Sequence, residues 1–431
     1  MSTSAFSLDD WFFHIKQIHQ HRMELGLDRI RKVAKRLQLI SFSCPVITVA
    51  GTNGKGSTTK ALESIYHQAG YQTALYTSPH LMDFNERIRI NNKNIDDENL
   101  IHAFEMVEHA RQNIILSFFE FTTLAALFLF QAAKPDVIIL EVGLGGRLDA
   151  VNIVDSDVAI VTSIALDHMD WLGNSREEIA YEKASIAHAG KLLISGEENP
   201  PHTLAETVLK KNAVLLQINR DFFYQINKNS FNCWGSDFHY EKLPLSILKI
   251  QNTVIAIRAI VALNYLLPIS RENIIEGINQ IDLPGRFELQ RNPFPCVFDV
   301  AHNPHASAWL AEQYKKLPAV NNTVAIVGML KDKAMQDTVL PLIPLVQTWC
   351  VCDLSAYTDR GADGSDIAAF LKTSGIKNGY TFTSVEEAML FLEKVHCQRE
   401  CDRALIFGSF YTVAAAKRYL LKKGDTVWKK K

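Results

Sequence analysis

Hydrophobic and polar positions along this chain follow two rhythms that take turns. From residue 8 to 40, apolar side chains recur at the spacing of amphipathic helices, with Leu25-Gly26-Leu27-Asp28-Arg29 as a break between them. Val46-Ile47-Thr48-Val49-Ala50 is a short apolar run rich in β-branched residues and reads as a strand. A helical pattern opens near Ser57 and runs to Ala69, and Thr73–Thr77 is again strand-like, ending at Ser78-Pro79-His80. Arg87–Ile90 and Lys93–Ile95 flank Asn91-Asn92, which predicts a hairpin, and 95–111 is helical. The stretch from Ile114 to Ala133 is the one membrane suspect. It carries Glu120, Thr122, Thr123 and Gln131 and stops before Pro135, so it reads as a buried strand or turn leading into a buried helix.

Beyond it, Val137–Val142 and Val158–Thr162 are continuous apolar runs of the kind a parallel sheet buries on both faces. A helix is expected over 175–189, opened by an N-cap serine with acids in its first turn. The stretch 222–245 is aromatic and irregular, a β excursion, and helices follow over 251–266 and 271–280. Leu283-Pro284-Gly285-Arg286-Phe287-Glu288 breaks the pattern, and the alternation then restarts. Strands are expected at 296–300, 324–327, 348–352 and 404–407, with helices near 304–316, 333–341, 364–373, 385–396 and 411–422. Strands alternating with helices imply parallel sheets with sites at the carboxyl ends of their strands. The expected fold is therefore α/β. An N-terminal P-loop domain with a central, mostly parallel sheet spans 1–284, and a smaller Rossmann-like α/β domain spans 285–431. A length of 431 residues agrees with two domains.

The junction between the first strand and its helix carries the sharpest chemistry. Gly51-Thr52-Asn53-Gly54-Lys55-Gly56-Ser57 places glycines where backbone N–H groups can close on phosphate oxygens, at a helix N-terminus that adds positive potential. Lys55 supplies a mobile charge for the outer phosphates, and Ser57 or Thr58 a hydroxyl for a metal ion. The match to the common phosphate-loop pattern is imperfect: Val49 stands where a first glycine belongs, and Gly56 separates Lys55 from Ser57. A chance glycine turn is the plain alternative. Ser78, Glu141 and His168 each fall at or just past the end of a strand.

Charge and cysteine content narrow the setting. A net charge of −2 offers no bulk electrostatics for nucleic acid, and the basic tail at Lys422-Lys423 and Lys429-Lys430-Lys431 is too short for a binding arm. Seven scattered cysteines make no disulfide framework and suit reduced thiols in the cytosol. His396, Cys397 and Cys401 could share a helix face, but no second ligand pair has zinc spacing. Met1–Asp10 has no secretory pattern.

Eight motifs, in order over nearly the whole chain, resemble the folylpolyglutamate synthase/dihydrofolate synthase branch of the Mur ligase superfamily. They are Gly51–Ser57 with its extra glycine, Thr77–Leu81, Glu141–Ala150, Asp167-His168, Glu182-Lys183-Ala184, Leu283–Phe287, Phe298–Pro304 and Gly408-Ser409-Phe410. The resemblance implies an ATP-dependent ligase that adds L-glutamate to 7,8-dihydropteroate and to reduced folates through an acyl phosphate. It implies ATP contacts at Asn53, Gly54, Lys55, Gly56, Ser57, Asn252, Arg286 and Asp299. It implies two Mg²⁺ sites held by Ser78, Glu141 and His168, and a carbamylated Lys183. Pteroate contacts are implied at Glu24-Leu25-Gly26, Ser117-Phe118-Phe119-Glu120 and Leu148-Asp149-Ala150, and His302 and Ser409 are implied near the incoming glutamate. Lys55, Lys183 and His168 are the expected catalytic groups. The expected molecule is a cytoplasmic monomer whose partners are small molecules, neither nucleic acid nor membrane.

Each residue also has a bland reading. Ser78 equally suits the start of a turn before Pro79, and His168 a satisfied loop histidine. Lys183 could pair with Glu178 or Glu182 on a helix surface, Phe118 and Phe119 could be core, and Asp299 and His302 could be buried structural groups. A monofunctional folylpolyglutamate synthase differs only in its pterin substrate. A peptidoglycan Mur ligase usually lacks the glycine after the lysine, and a nucleotide switch would need only the loop.

Overall fold

The computed structural model describes residues 6–18 and 25–424. The expected pteroate contact Glu24 and the basic end at Lys429–Lys431 lie outside the described residues. The chain divides into two compact units between Asp282 and Leu283.

In the first unit, helices α1 (Leu8–Ile18) and α2 (Asp28–Arg36) precede strand β1 (Val46–Ala50) and helix α3 (Lys55–Gln68). Then come β2 (Thr73–Tyr76), the hairpin β3 (Ile88–Ile90) and β4 (Lys93–Asn94), α4 (Asp97–Arg111), α5 (Phe118–Ala133) and β5 (Val137–Glu141). Next are β6 (Val158–Val161), the short α6 (Met169–Leu172), α7 (Arg176–Ala184), β7 (Leu192–Ser195), α8 (His202–Lys210) and β8 (Val214–Gln217). Strands β9 (Phe222–Ile226), β10 (Ser230–Gly235) and β11 (His239–Pro244) form a separate antiparallel sheet, followed by α9 (Ile250–Leu263) and α10 (Arg271–Asn279).

The main sheet runs β4-β3-β2-β5-β1-β6-β7-β8, parallel from β2 to β8 and antiparallel only at the hairpin. Asn91 and Asn92 both take positive φ in the hairpin turn, the conformation its two strands need. β1 sits between β5 and β6, where Val49 pairs with Glu141 and Ala50 with Val161. Every residue of β1 and β5 is buried, which is why both read as unbroken apolar runs.

α5 resolves the Ile114–Ala133 stretch. No strand forms there, because Ser117 caps the helix in a capping box with Glu120. Among the described residues no helix is long and apolar enough to cross a membrane. α7 ends at Ala184, five residues short of the expected end, and the Ser185 hydroxyl donates back to Tyr181 O. Strands β7 and β8 and helix α8 were not expected from the pattern.

The second unit holds β12 (Glu288–Gln290), β13 (Cys296–Asp299), α11 (Pro304–Lys315), β14 (Thr323–Val327), α12 (Met335–Val339) and β15 (Thr348–Cys352). It continues with α13 (Ser365–Thr373), β16 (Gly379–Phe382), α14 (Val385–Cys397), β17 (Arg403–Phe407) and α15 (Phe410–Lys422). Its sheet runs β12-β13-β17-β14-β15-β16, with only β12 antiparallel. This unit has its own core around Trp349, Leu405 and Phe407. The fold class matches the expectation from sequence.

Candidate active site

The loop after β1 is shaped by close contacts that side chains would forbid. A Cβ on Gly51 would lie 1.8 Å from Thr162 Oγ1 at the end of β6, and Gly54, at φ +89°, would meet Asn252 Oδ1 at 2.5 Å. Asn252 sits in the first turn of α9, so that helix is seated directly on the phosphate loop. β6 supplies the other wall. Thr52 N donates to Ser163 O (2.8 Å), Asn53 N to Ser163 Oγ (3.0 Å), and Thr162 Oγ1 to Asn53 O (2.7 Å). Lys55 Nζ donates to Gly51 O at 2.9 Å, curled over the loop it would leave to reach a phosphate.

Gly56, the glycine this loop carries beyond the common pattern, lies beside a buried carboxylate. Its Cβ position is 3.7 Å from Glu141 Oε2 and 4.0 Å from Thr77 Oγ1, so a longer side chain would occupy the space beside a buried carboxylate. Glu141 ends β5 next to the end of β2. Thr77 Oγ1 makes a short hydrogen bond to Glu141 Oε2, and Ser78 N donates to the same oxygen at 3.3 Å. The Glu141 carboxylate and the Thr77 and Ser78 hydroxyls are hard oxygen ligands beside a phosphate loop, a set that suits Mg²⁺ with substrate phosphates and water completing its shell. Among the described residues no group of three or more His, Cys, Asp or Glu is gathered for a metal. His168, in left-handed backbone at the start of α6, lies 4.0 Å from Asp167 Oδ1 and is partly exposed.

Lys183 is not a surface lysine. It is 3% exposed, and burial, reinforced by the Lys55 charge and opposed by Asp167, Asp149 and Glu182, pushes its amine down to about 7. The two expected surface partners are otherwise engaged. Glu178 forms the capping box with Ser175, and Glu182 pairs with Arg147 at 2.9 Å. Lys183 is set in place by the loop after β5: a Cβ on Gly146 would lie 2.7 Å from Glu182 O and 3.2 Å from Lys183 Cα.

The candidate pterin residues divide. Phe119 packs on the backbone of Gly143, where a Cβ would lie 2.6 Å from the ring, and stacks on Tyr76 at 5.7 Å. Phe118 meets Phe12 and Phe84 edgewise or tilted. Ser117 and Glu120 have structural work in the α5 cap, and Arg29 Nε donates to Glu120 at 2.8 Å. Asp149 is buried, and its carboxylate accepts from Leu144 N at 2.8 Å and Val151 N at 3.1 Å. Burial raises its pKa to about 7 against those bonds. Leu148 and Leu25-Gly26 are half-buried, and Ala150 is buried.

In the second unit, the turn before β12 and the ends of β13 and β17 gather the remaining residues. Arg286 stacks on the Phe410 ring at 5.0 Å, and His302 faces the same ring at 6.5 Å. Asp299 accepts from Phe287 N and Ala301 N, both at 2.8 Å, and so ties the Arg286 turn to the end of β13. Burial raises Asp299 while the nearby Arg286 lowers it, with a net upward shift. Ser409 caps α15, accepting from Thr412 N at 3.0 Å.

Two family models match this chain. The Mur ligase middle domain covers residues 49–255, and the Mur ligase glutamate ligase domain covers 285–410. The chain is 41% identical over 414 residues to the dihydrofolate synthase/folylpolyglutamate synthase of Escherichia coli, covering 95% of each chain. It belongs to the dihydrofolate synthase/folylpolyglutamate synthase family of Mur ligases. The enzyme of the same name from Haemophilus influenzae is 36% identical, over 94% of this chain and 96% of that one. Among solved structures, E. coli FolC in complex with DHPP and ADP superposes with TM-score 0.92 at 38% identity, covering 98% of this chain and all of that one. A bifunctional family member with Mn, AMPPNP and L-glutamate bound gives TM-score 0.89 at 37% identity, over 98% and 99% of the two chains. The folylpolyglutamate synthase of Lacticaseibacillus casei matches at 32% identity over 308 residues, a shorter alignment than the bifunctional enzymes give.

For this Mur ligase, the structure brings Asn53, Gly54, Lys55, Gly56, Ser57 and Asn252 to one loop, and Ser78 and Glu141 beside it. Thr77, Thr162, Ser163, Arg147 and Phe410 were missed. Thr77 and Thr162 sit at strand ends, which was the usable signal. Arg147 and Phe410 lie inside quoted motifs, but nothing in their spacing shows what they touch.

Proposed function

We propose that this ligase joins L-glutamate both to 7,8-dihydropteroate and to reduced folates. A substrate carboxylate oxygen attacks the γ-phosphorus of ATP, ADP leaves, and the glutamate amine then displaces phosphate from the acyl phosphate. The first step presses an anion against a polyanion, so positioned positive charge carries most of the catalysis. The convergence of Lys55, Gly56 and the buried Glu141 carboxylate on one loop is the observation that supports this reading most. Lys55 releases the loop carbonyl and holds the transferring phosphoryl group. Ser57, Ser78 and Glu141 are the proposed holders of one Mg²⁺, and His168 of a second. These ions would neutralise charge on the phosphate oxygens.

Lys183 serves the second site as a carbamate. Its neutral amine attacks CO₂, the N–C bond forms, an electron pair moves onto oxygen, and a proton leaves nitrogen for solvent. Burial supports this, because it keeps the amine in the form that reacts. Arg286, Asp299 and Asn252 contact nucleotide, and His302 and Ser409 the glutamate. Leu25-Gly26, Phe118, Phe119, Leu148 and Ala150 wall the pterin, with Asp149 holding their loop and offering it an acceptor. Glu24, Ser117 and Glu120 complete that set in the family pattern, Ser117 and Glu120 acting through the α5 cap. The protein works as a cytoplasmic monomer with seven free thiols.

The test is isotopic. Dihydropteroate labelled with ¹⁸O in its carboxylate should pass one ¹⁸O into the phosphate released during glutamate addition. Unlabelled phosphate would exclude the acyl phosphate.

A further inference from the structure

Nothing in the mechanism above uses Arg147, yet its backbone N–H, its carbonyl and its guanidinium are all engaged. Its backbone N–H donates to Glu182 O at 2.9 Å, one of the last carbonyls of α7, and its own carbonyl accepts from Asn152 Nδ2 at 3.1 Å. Its Nε donates to Glu182 Oε1 at 2.9 Å, and its guanidinium lies 5.4 Å from the centre of the Tyr181 ring. Arg147 therefore grips the two residues that precede Lys183 on α7. The loop that carries it leaves β5 at Glu141 and is closed on itself by Asp149, through Asp149 N to Gly146 O at 3.1 Å and Leu144 N to Asp149 Oδ2 at 2.8 Å. Gly146 lets the loop lie flat on α7 beside Lys183 Cα.

An ion pair with one partner 39% exposed and the other 15% contributes little to global stability. Its geometry has a more specific consequence. It fixes one helix turn against the strand end that carries Glu141. We propose that Arg147, through Glu182 and Tyr181, is a positioning residue that sets Lys183 for carbamate formation and holds the carbamate in register with Glu141. This inference rests on the reading of Lys183 as a carbamate. Groups that act through a metal ligand in this way typically change affinity or activity by 10–100-fold.

The experiment uses the full chain in ¹³C-bicarbonate. Wild type should show a carbamate carbon resonance that is absent from Lys183→Ala. Arg147→Met should show a weaker resonance at the same bicarbonate concentration, with kcat down about tenfold. Raising bicarbonate should restore much of both, with KM for ATP unchanged. Glu182→Gln, nearly the same in shape, should fold normally and shift the bicarbonate response in the same direction. A full-strength resonance and an unaltered bicarbonate response in a folded Arg147→Met or Glu182→Gln variant would overturn the positioning role. A wild type without the resonance would instead refute the carbamate reading, and the inference with it.

Discussion

At the scale of single residues, the account turns on three buried or tethered charges. Lys55 sits 2.9 Å from Gly51 O, poised on the loop that would hold phosphate. Lys55→Ala should leave the fold intact and reduce kcat on the order of 10³-fold, the cost of removing a transition-state charge contact. Steady-state assays with a folded variant check this, and near-normal turnover would take the loop out of the mechanism. Lys183 carries a pH signature. Its amine is held at about 7 in the fold against an ordinary 10.5, so between those values the unfolded chain binds the extra proton. This group therefore makes the CO₂-free protein gain stability as pH rises from about 7 to 10, and that gain is lost as pH falls back toward 7. Urea midpoints across this range should rise more steeply for wild type than for Lys183→Met; parallel slopes would place an ordinary amine at Lys183. Asp149 separates two roles. Asp149→Ala frees two backbone N–H groups that shape the pterin loop, and should lower kcat/KM by roughly 1.5–3 kcal/mol. The loss should fall more on dihydropteroate than on tetrahydrofolate. Adding one extended residue moves the pterin about 3.5 Å from the reacting carboxylate, so the two substrates need partly separate contacts. Equal losses would leave Asp149 a loop support only. All three were legible as residue types within the ordered motifs. Their states were not, because burial of Lys183 and the satisfaction of Asp149 by backbone depend on a loop lying across a helix from another part of the chain.

At the scale of elements, glycines decide how closely pieces approach. Gly277 in α10 would place a Cβ 2.5 Å from Ile65 Cα in α3, and Ser64 Oγ donates to Gly277 O at 2.7 Å. The loop helix α3 is thus backed by α10 with no room between them. Gly277→Ala should destabilise the first unit by about 1–3 kcal/mol through overpacking, measured by denaturant unfolding. An unchanged midpoint would show that α10 moves freely on α3. The element pattern was legible at most of the strongly apolar strands, although the short buried β7 escaped it. β1, β5, β6, β13, β14, β15 and β17 all announce themselves as buried runs. β16 does not, since Gly379, Tyr380 and Thr381 are exposed on an edge. β8, the edge strand of the first sheet, is exposed or half-buried in the same way. α8 escaped because Pro201 rather than a polar side chain stands at its N-cap. The fold of 114–133 was ambiguous for a different reason. A short apolar run has no period of its own, and only the Ser117–Glu120 capping box determines where the helix starts.

At the scale of the whole molecule, the phosphate loop and proposed metal ligands belong to the first compact unit, whereas Arg286, Asp299, His302 and Ser409 belong to the second. Each unit has its own apolar core. The second unit expressed alone should therefore fold, with cooperative unfolding, and neither unit alone should form product. The eight ordered motifs are distributed over nearly the full length of the chain, on both sides of the junction between the units. The central claim is that one enzyme performs two glutamate additions. Its most direct measurement is to incubate the purified protein with MgATP, L-glutamate and either dihydropteroate or tetrahydrofolate, and to identify products by mass. Both substrates should gain a glutamyl residue, with ADP and phosphate released in step and both activities lost together in Lys55→Ala. Extension of tetrahydrofolate with no gain on dihydropteroate would contradict the dual reading and leave a monofunctional folylpolyglutamate synthase.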